Sequence, residues 1–370
     1  MNESTNVEQP GLFEPEAPWQ QDASEQVSNG PPGAATLADR AVAPGTTALA
    51  VAVEPPGEAD PTWAAPEDID RWETLAADLE ATGRYKVLRR FEERLDEPPA
   101  PQLGRGVKKG VYLDVETTGL MPSDRILELA LLAFHYDEDG NVLHVTEALD
   151  QFEDPKRKIP ADIVSLTGIT NEMVRGKRID DAEVARLMEG VDLVVAHNAG
   201  FDRQFVEARF PFFSEVGWAC SVSDVDWLSG GLRSRKLENL ALAKGYFYRA
   251  HRAIYDCHVA LGLLRLPIGH EGPPALADLL RRSSTESVRL WAEGSPFEKK
   301  DDLKARYYRW SSQAKCWWRD LAVDEHEAEL EWLAANVYPR RRPLPYLRIT
   351  SRTRYSSRLP EVPPTDVERL

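Results

Sequence analysis

The sequence predicts a mixed α/β domain, a sheet flanked by helices, set between an acidic N-terminal tail and a basic, tryptophan-rich C-terminal region. Three observations carry this. Between Lys108 and Gly269 short runs rich in β-branched and aromatic residues come first, and helical and extended stretches then alternate. The first 66 residues are Pro-, Ala-, Gly- and Glu-rich and have no sustained apolar period. After residue 270 the spacing of apolar residues changes again, which marks a separate module.

The elements follow in order. Residues 1–66 offer too little apolar surface to offset the entropy of ordering, so a disordered tail is expected. Ten acidic residues and one basic residue, Arg40, fall between Met1 and Ala65, so most of the net charge of −16 belongs to the tail. Within residues 67–105, Trp72, Leu75, Leu79, Val87, Leu88, Phe91 and Leu95 recur at roughly helical spacing around Thr82-Gly83. That predicts two short amphipathic helices before the Pro98-Pro99-Ala100-Pro101 linker. Residues 106–270 open with three strands, Gly110–Val115, Ile126–His135 and Val142–Asp150. A helix over Asp181–Met188, a strand over Asp192–His197, a helix over Phe201–Ala208, a strand near Trp218 and helices from Lys236 and Arg252 complete the domain. Residues 271–370 predict a small α-rich module: a helix from Pro274 to Glu293, a Trp-rich segment through Trp318, and a helix from Asp324 to Val337. A basic tail ends the chain.

No apolar run reaches the length of a membrane span. The start of the chain lacks the basic-then-apolar signature of an export signal, so a cytoplasmic location is expected. Cys220, Cys257 and Cys316 are too few and too scattered for a disulfide framework and read as reduced.

The chemistry lies in three segments. Asp114 and Glu116 are two apart on a predicted strand, and the period of two aims both carboxylates at one face. Two such acids repel unless a cation compensates. His197-Asn198-Ala199-Gly200-Phe201-Asp202 follows a strand and enters a helix, His251-Arg252-Ala253-Ile254-Tyr255-Asp256 enters another helix, and each places an Asp near a helix start. Asp114, Glu116, Asp202 and Asp256 can therefore converge as oxygen ligands of hard divalent ions, Mg²⁺ or Mn²⁺, of which two suit phosphodiester hydrolysis. His251 has a side chain able to take a proton near neutral pH.

In type, order and spacing these segments resemble the DnaQ-like 3′–5′ exonucleases, the DEDD family that includes proofreading subunits of replicative polymerases. Asp114-Val115-Glu116-Thr117-Thr118-Gly119 matches the first motif, His197–Asp202 the second and His251–Asp256 the third. The HxxxxD spacing is that of the histidine branch, and Leu166-Thr167-Gly168-Ile169-Thr170 is similar to a loop placed beside the active site. The resemblance implies a ribonuclease-H-like five-stranded mixed sheet. It further implies two metal ions and release of 5′-nucleoside monophosphates from single-stranded or frayed 3′ ends of DNA in replication proofreading or repair. RNA ends are the alternative substrate, and an adaptor with vestigial nuclease activity is the alternative class. It also places Thr117, Leu120, Asn198 and Phe201 near the terminal nucleotide.

Two flanking features extend the expectation. From Trp332 to Pro360 there is no acidic residue, while Arg340, Arg341 and Arg342 head a run of arginines interleaved with tyrosines, a composition suited to phosphate contact and base stacking. Gln9-Pro10-Gly11-Leu12-Phe13 resembles, at Gln9, Leu12 and Phe13, the peptide with which bacterial replication proteins dock on the sliding clamp. A clamp or polymerase partner is the corresponding expectation.

Overall fold

The structure, a computed structural model, describes residues 69–91, 106–340, 342–360, 362–364 and 368–369. The acidic tail, the clamp-like Gln9–Phe13 peptide and Arg341 lie outside these residues. Two units are present, residues 1–75 and 76–370. The described part of the first is the opening of helix α1 (Ile69–Ala81), where the Arg71 guanidinium lies 5.3 Å from the centre of the Trp72 ring.

The second unit begins with the rest of α1, and Gly83, two residues past its end, takes up the left-handed region. The second amphipathic helix expected before Leu95 is not what the chain forms up to Phe91. Residues after Gly83 extend, and β1 (Arg89–Arg90) pairs in parallel with β7 (Tyr246–Phe247). The helical spacing is overridden because the N–H groups of Arg89 and Phe91 donate to the carbonyls of Gly245 and Phe247.

The central sheet is formed by β2 (Lys108–Thr117), β3 (Ile126–Tyr136), β4 (Val142–Phe152), β5 (Leu193–Ala196) and β6 (Gly217–Cys220), in the order β4-β3-β2-β5-β6. The first three run antiparallel, and β5 and β6 join in parallel, so the five-stranded mixed sheet is as expected. Short helices α2 (Ala161–Thr167) and α3 (Asn171–Val174) precede α4 (Asp181–Met188), α5 (Ala199–Arg209), α6 (Leu237–Ala243) and α7 (Ala253–Leu264).

Alternation along β2 divides the core in two. Val111, Leu113 and Val115 pack with Val184, Leu187, Phe205 and Val206 of α4 and α5. Tyr112 packs with Leu240 of α6 and Cys257, Val259 and Leu261 of α7. Asp114 and Glu116 continue the Tyr112 face, so β2 delivers both carboxylates to the side that α7 covers. All three cysteines are free and buried.

The C-terminal region holds more strand than expected. The helix predicted from Pro274 to Glu293 stops early: α8 covers Ala275–Ser284, and β8 (Ser287–Ala292) follows. Ser283, Ser284 and Thr285 are weak helix formers that bond back to the preceding turn, and Val288, Leu290 and Ala292 then alternate into one core. After α9 (Lys300–Ala305), β9 (Arg309–Ser311) and β10 (Cys316–Ala322) form a hairpin from the Trp-rich segment. Helix α10 (His326–Asn336), β11 (Pro345–Ile349) and β12 (Glu368–Arg369) complete an antiparallel sheet in the order β12-β11-β8-β10-β9.

Residues 351–358 join this module to the central sheet. The Ser351 carbonyl accepts from the N–H of Trp218, covering the edge strand β6. Arg203, with no exposed surface, donates to the carbonyls of Arg352 and Arg354, while Arg354 reaches Asp224 and Arg358 reaches Glu207. Part of the arginine-rich run is thus spent on internal docking. Among the described residues no helix is long and apolar enough to cross a membrane.

Candidate active site

Asp114 and Glu116 stand at the end of β2, beside the register shift between Glu116 and Thr117. Asp256 comes from the first turn of α7. One carboxylate oxygen from each of Asp114, Glu116 and Asp256 lies within 4.8 Å of the others. Asp202 stands just outside this set because α5 covers the opposite face of the sheet. It reaches the strand end nonetheless, its Oδ1 accepting from the Val115 N–H at 3.1 Å, and it is buried.

Burial and like charge act together on these acids. Burial, followed by Asp202, Asp256 and Glu116, pushes Asp114 well above the usual carboxylate range. Glu116 is pushed up to about 8 by burial and then by Asp256 and Glu128. Asp202 also stands at about 8, burial outweighing the Val115 hydrogen bond, and burial raises Asp256 to about 6. Four acids in this state cannot all ionise by themselves. Arg252 and His251 offset only part of the shift at Glu116 and Asp256, and such clustered hard oxygen donors fit a divalent cation better than a stability role.

The entry to α7 is built around Asp256. Its Oδ2 accepts from the Arg252 N–H at 3.1 Å and its Oδ1 from the Tyr248 hydroxyl at 2.8 Å. His251 sits between these two donors in sequence, half-buried, with φ of 63° in the left-handed region. The Arg252 side chain forks onto Glu128 at 2.7 and 3.0 Å, and Glu128 also accepts from the Ala253 N–H at 3.2 Å. Glu128 has no exposed surface and pairs directly with Glu116 across β2 and β3. It ties the start of α7 to the strand beside the acids. His197 by contrast has both ring nitrogens engaged, by Ser221 at 2.8 Å and the Arg235 carbonyl at 2.9 Å, and burial lowers it to about 4.

The remaining expected positions divide. Leu120 is 55% exposed beside exposed Met121, just past β2. Thr117 is buried and its hydroxyl donates to the Gly119 carbonyl, so it shapes the turn. Asn198 is exposed with φ of 82°, and its side chain makes no capping bond to α5. Phe201 packs partly on the core, edge-on to Phe205 at 5.1 Å. Leu166 and Thr167 close helix α2, Gly168 follows in the left-handed region with φ of 71°, and a Cβ on it would meet the Arg249 side chain at 3.2 Å. Arg340 and Arg342 are exposed, with Arg342 over the Tyr338 ring.

Glu128 and Tyr248 are the positions that pattern reading missed. For Glu128 there was a signal, a lone acid in the otherwise apolar strand Ile126–Tyr136. Tyr248 carried none, because its role depends on a fold-dependent contact.

Fold and site together define an α/β domain whose five-stranded mixed sheet ends in a cluster of acids that could hold a cation. The exonuclease family (RNase_T) matches residues 111–264. The epsilon subunit of DNA polymerase III from Treponema pallidum is 31% identical over 168 residues, which cover 42% of this chain and 75% of that protein. The 3′-5′ exonuclease DinG of Bacillus subtilis is 39% identical over 171 residues, 43% of this chain and 17% of DinG. The PolC-type DNA polymerase III of Bacillus subtilis is 34% identical over 164 residues, 42% of this chain and 11% of the polymerase. The chain thus spans less than a fifth of the last two. Among solved structures, Exonuclease X in complex with 5′ overhanging duplex DNA overlaps 46% of this chain and 98% of its own, at 23% identity and a TM-score of 0.34. The chain belongs to the DnaQ-like exonuclease family.

Proposed function

We propose that this protein is a metal-dependent 3′–5′ exonuclease that hydrolyses terminal phosphodiester bonds of DNA and releases 5′-nucleoside monophosphates, in replication proofreading or repair. The observation that carries the reading is the meeting of Asp114, Glu116 and Asp256 within 4.8 Å, with Asp202 at the same strand end. These four carboxylates would hold two Mg²⁺ or Mn²⁺ ions. Bound there, the ions supply positive charge to the attacking and leaving oxygens of an in-line displacement.

The chain's own residues do the rest. His251, at the entry to α7, accepts the proton that the attacking water loses as its oxygen bonds to phosphorus, while the bond to the 3′ oxygen of the penultimate nucleotide breaks. Glu128 and Arg252 fix the start of α7, whose entry carries His251 and whose first turn carries Asp256. Leu120, Asn198 and Phe201 flank the place of the terminal nucleotide, with Thr117 setting the turn between them. Arg340, Arg341 and Arg342 contact phosphates away from the scissile bond. Through Gln9–Phe13 the protein docks on a sliding clamp or polymerase, in the cytoplasm.

The test is digestion of single-stranded DNA and RNA labelled at either end, with Mg²⁺, Mn²⁺ or EDTA. The expected result is metal-dependent release of mononucleotides from 3′ ends, faster on DNA and absent in Asp114→Asn. Release from 5′ ends, or activity that survives EDTA, would overturn the reading; preference for RNA would move the substrate to RNA ends.

A further inference from the structure

The segment just before the exonuclease domain is fastened to the wall of the acidic site by three different kinds of contact. The Lys86 ammonium donates to the carbonyls of Leu242 and Ala243 at 3.2 and 3.3 Å, at the C-terminal end of α6, where a cation is favoured. The Arg89 and Phe91 N–H groups donate to the carbonyls of Gly245 and Phe247 at 2.9 and 2.8 Å, which makes β1 a parallel partner of β7. The Phe91 ring meets Tyr246 edge-on at 5.6 Å and fills a notch in α7, because a Cβ on Gly262 would lie 2.3 Å from its Cζ. Within the segment, the Val87 N–H donates to Glu80 at 3.2 Å.

The partners from Leu242 to Phe247 fall on the stretch that leads into the site, and Gly262 lies on α7, the helix that carries Asp256. Tyr248 is the residue after β7, and its hydroxyl donates to Asp256 Oδ1 at 2.8 Å. Three residues further on stands His251 in its left-handed conformation. β7 has two residues and β1 is its pairing partner, so the strap supplies the ordered neighbour that such a short strand needs. The family match begins only at Val111, so the strap lies outside the family's core.

We propose that Lys86–Phe91 is a positioning strap for the acidic site: by pairing with β7 and seating Phe91 against Gly262 it holds Tyr248 where its hydroxyl fixes Asp256. This rests on the metal-binding part of the exonuclease reading. Hydrogen bonds that orient a ligating carboxylate are worth about 10- to 100-fold in metal affinity or activity. Tyr248 and Phe91 are thus positioning residues, which act through Asp256.

Three variants of the full chain test it: Tyr248→Phe, Gly262→Ala, and the two combined. Gly262→Ala improves the helix propensity of α7 while its new methyl evicts the Phe91 ring, so a loss of function in it is not a loss of fold. Mn²⁺ affinity is measured by calorimetry, and the Mn²⁺ concentration for half-maximal cleavage by titration. Tyr248→Phe should raise both the Mn²⁺ dissociation constant and that half-maximal concentration on the order of 10-fold, and Gly262→Ala should raise both by roughly 3-fold. The double variant should be no worse than Tyr248→Phe alone, because both changes break one chain of contacts. Wild-type Mn²⁺ affinity in either single variant, or strictly additive losses in the double, would overturn the strap. A wild-type protein that binds Mn²⁺ and cleaves nothing would instead overturn the exonuclease reading, and the calorimetry would still decide the strap.

Discussion

The central sheet and the C-terminal sheet each have five strands, yet they treat buried charge in opposite ways. In the C-terminal module Glu329, 3% exposed, is held by Arg306 and Arg319, and Arg289 forks onto Asp320 at 2.7 and 2.8 Å. At the end of the central sheet burial instead raises the pKa of Asp114, Glu116, Asp202 and Asp256, and neighbouring acids add to the rise at Asp114, Glu116 and Asp202. A buried acid with an arginine on it is explained by the fold alone. A buried acid surrounded by other acids stores an unfavourable interaction that a bound cation relieves, and that difference separates a structural charge from a functional one.

The sharpest way to break this contrast is to remove one acid from each sheet. Asp114→Asn should lower the cleavage rate on the order of 10³-fold, as loss of several kcal/mol of metal-ion stabilisation requires. Its unfolding free energy without metal should stay at or above wild type. A rate within tenfold of wild type would remove Asp114 from the site. Glu329→Ala should do the reverse. It leaves cleavage unchanged and costs about 2 kcal/mol in urea unfolding, less than a fully buried pair because Arg306 is partly exposed.

The acidic cluster should also give the protein an unusual pH dependence. Acids whose folded pKa is raised bind more protons folded than unfolded, so metal-free stability falls as pH rises. The fall should run from about 4, where unfolded carboxylates titrate, to about 8, where Glu116 and Asp202 finish. In EDTA the melting temperature should drop by about 5 °C between pH 5 and pH 8, a change of one to two kcal/mol in a domain of this size. Saturating Mn²⁺ should abolish the drop, as should Glu116→Gln in part. A melting temperature flat across that window in EDTA would show that the acids are compensated in some other way.

The smallest effect concerns the exposed arginines that the docking of residues 351–358 leaves over. Arg340→Ala with Arg342→Ala should weaken binding of a single-stranded oligonucleotide several-fold and lower the slope of log affinity against log salt by about 1 to 2. Metal affinity should not move. An unchanged slope would return these arginines to the role of a solvated surface.

Much of the site was legible because it is written in local periodicity. A period of two places Asp114 and Glu116 on one face of β2, and the entries to α5 and α7 place Asp202 and Asp256 at helix starts near strand ends. The same kind of reading failed at Val87–Phe91 and at Ser287–Ala292. There the helical spacing of apolar residues lost to strand partners distant in sequence, β7 in one case and β10 with β11 in the other.

By itself, then, the sequence determined which faces of which elements carry acid, and it did so because the backbone's own repeat aims the side chains. Tertiary structure alone decided that α7 shares the Asp114 face while α5 lies behind it, which leaves Asp202 outside the closest oxygen set. It also decided that Arg252 forks onto Glu128 and that Tyr248 reaches Asp256. Such contacts join segments whose meeting depends on how helices pack over a sheet, and no repeat along a single segment encodes that.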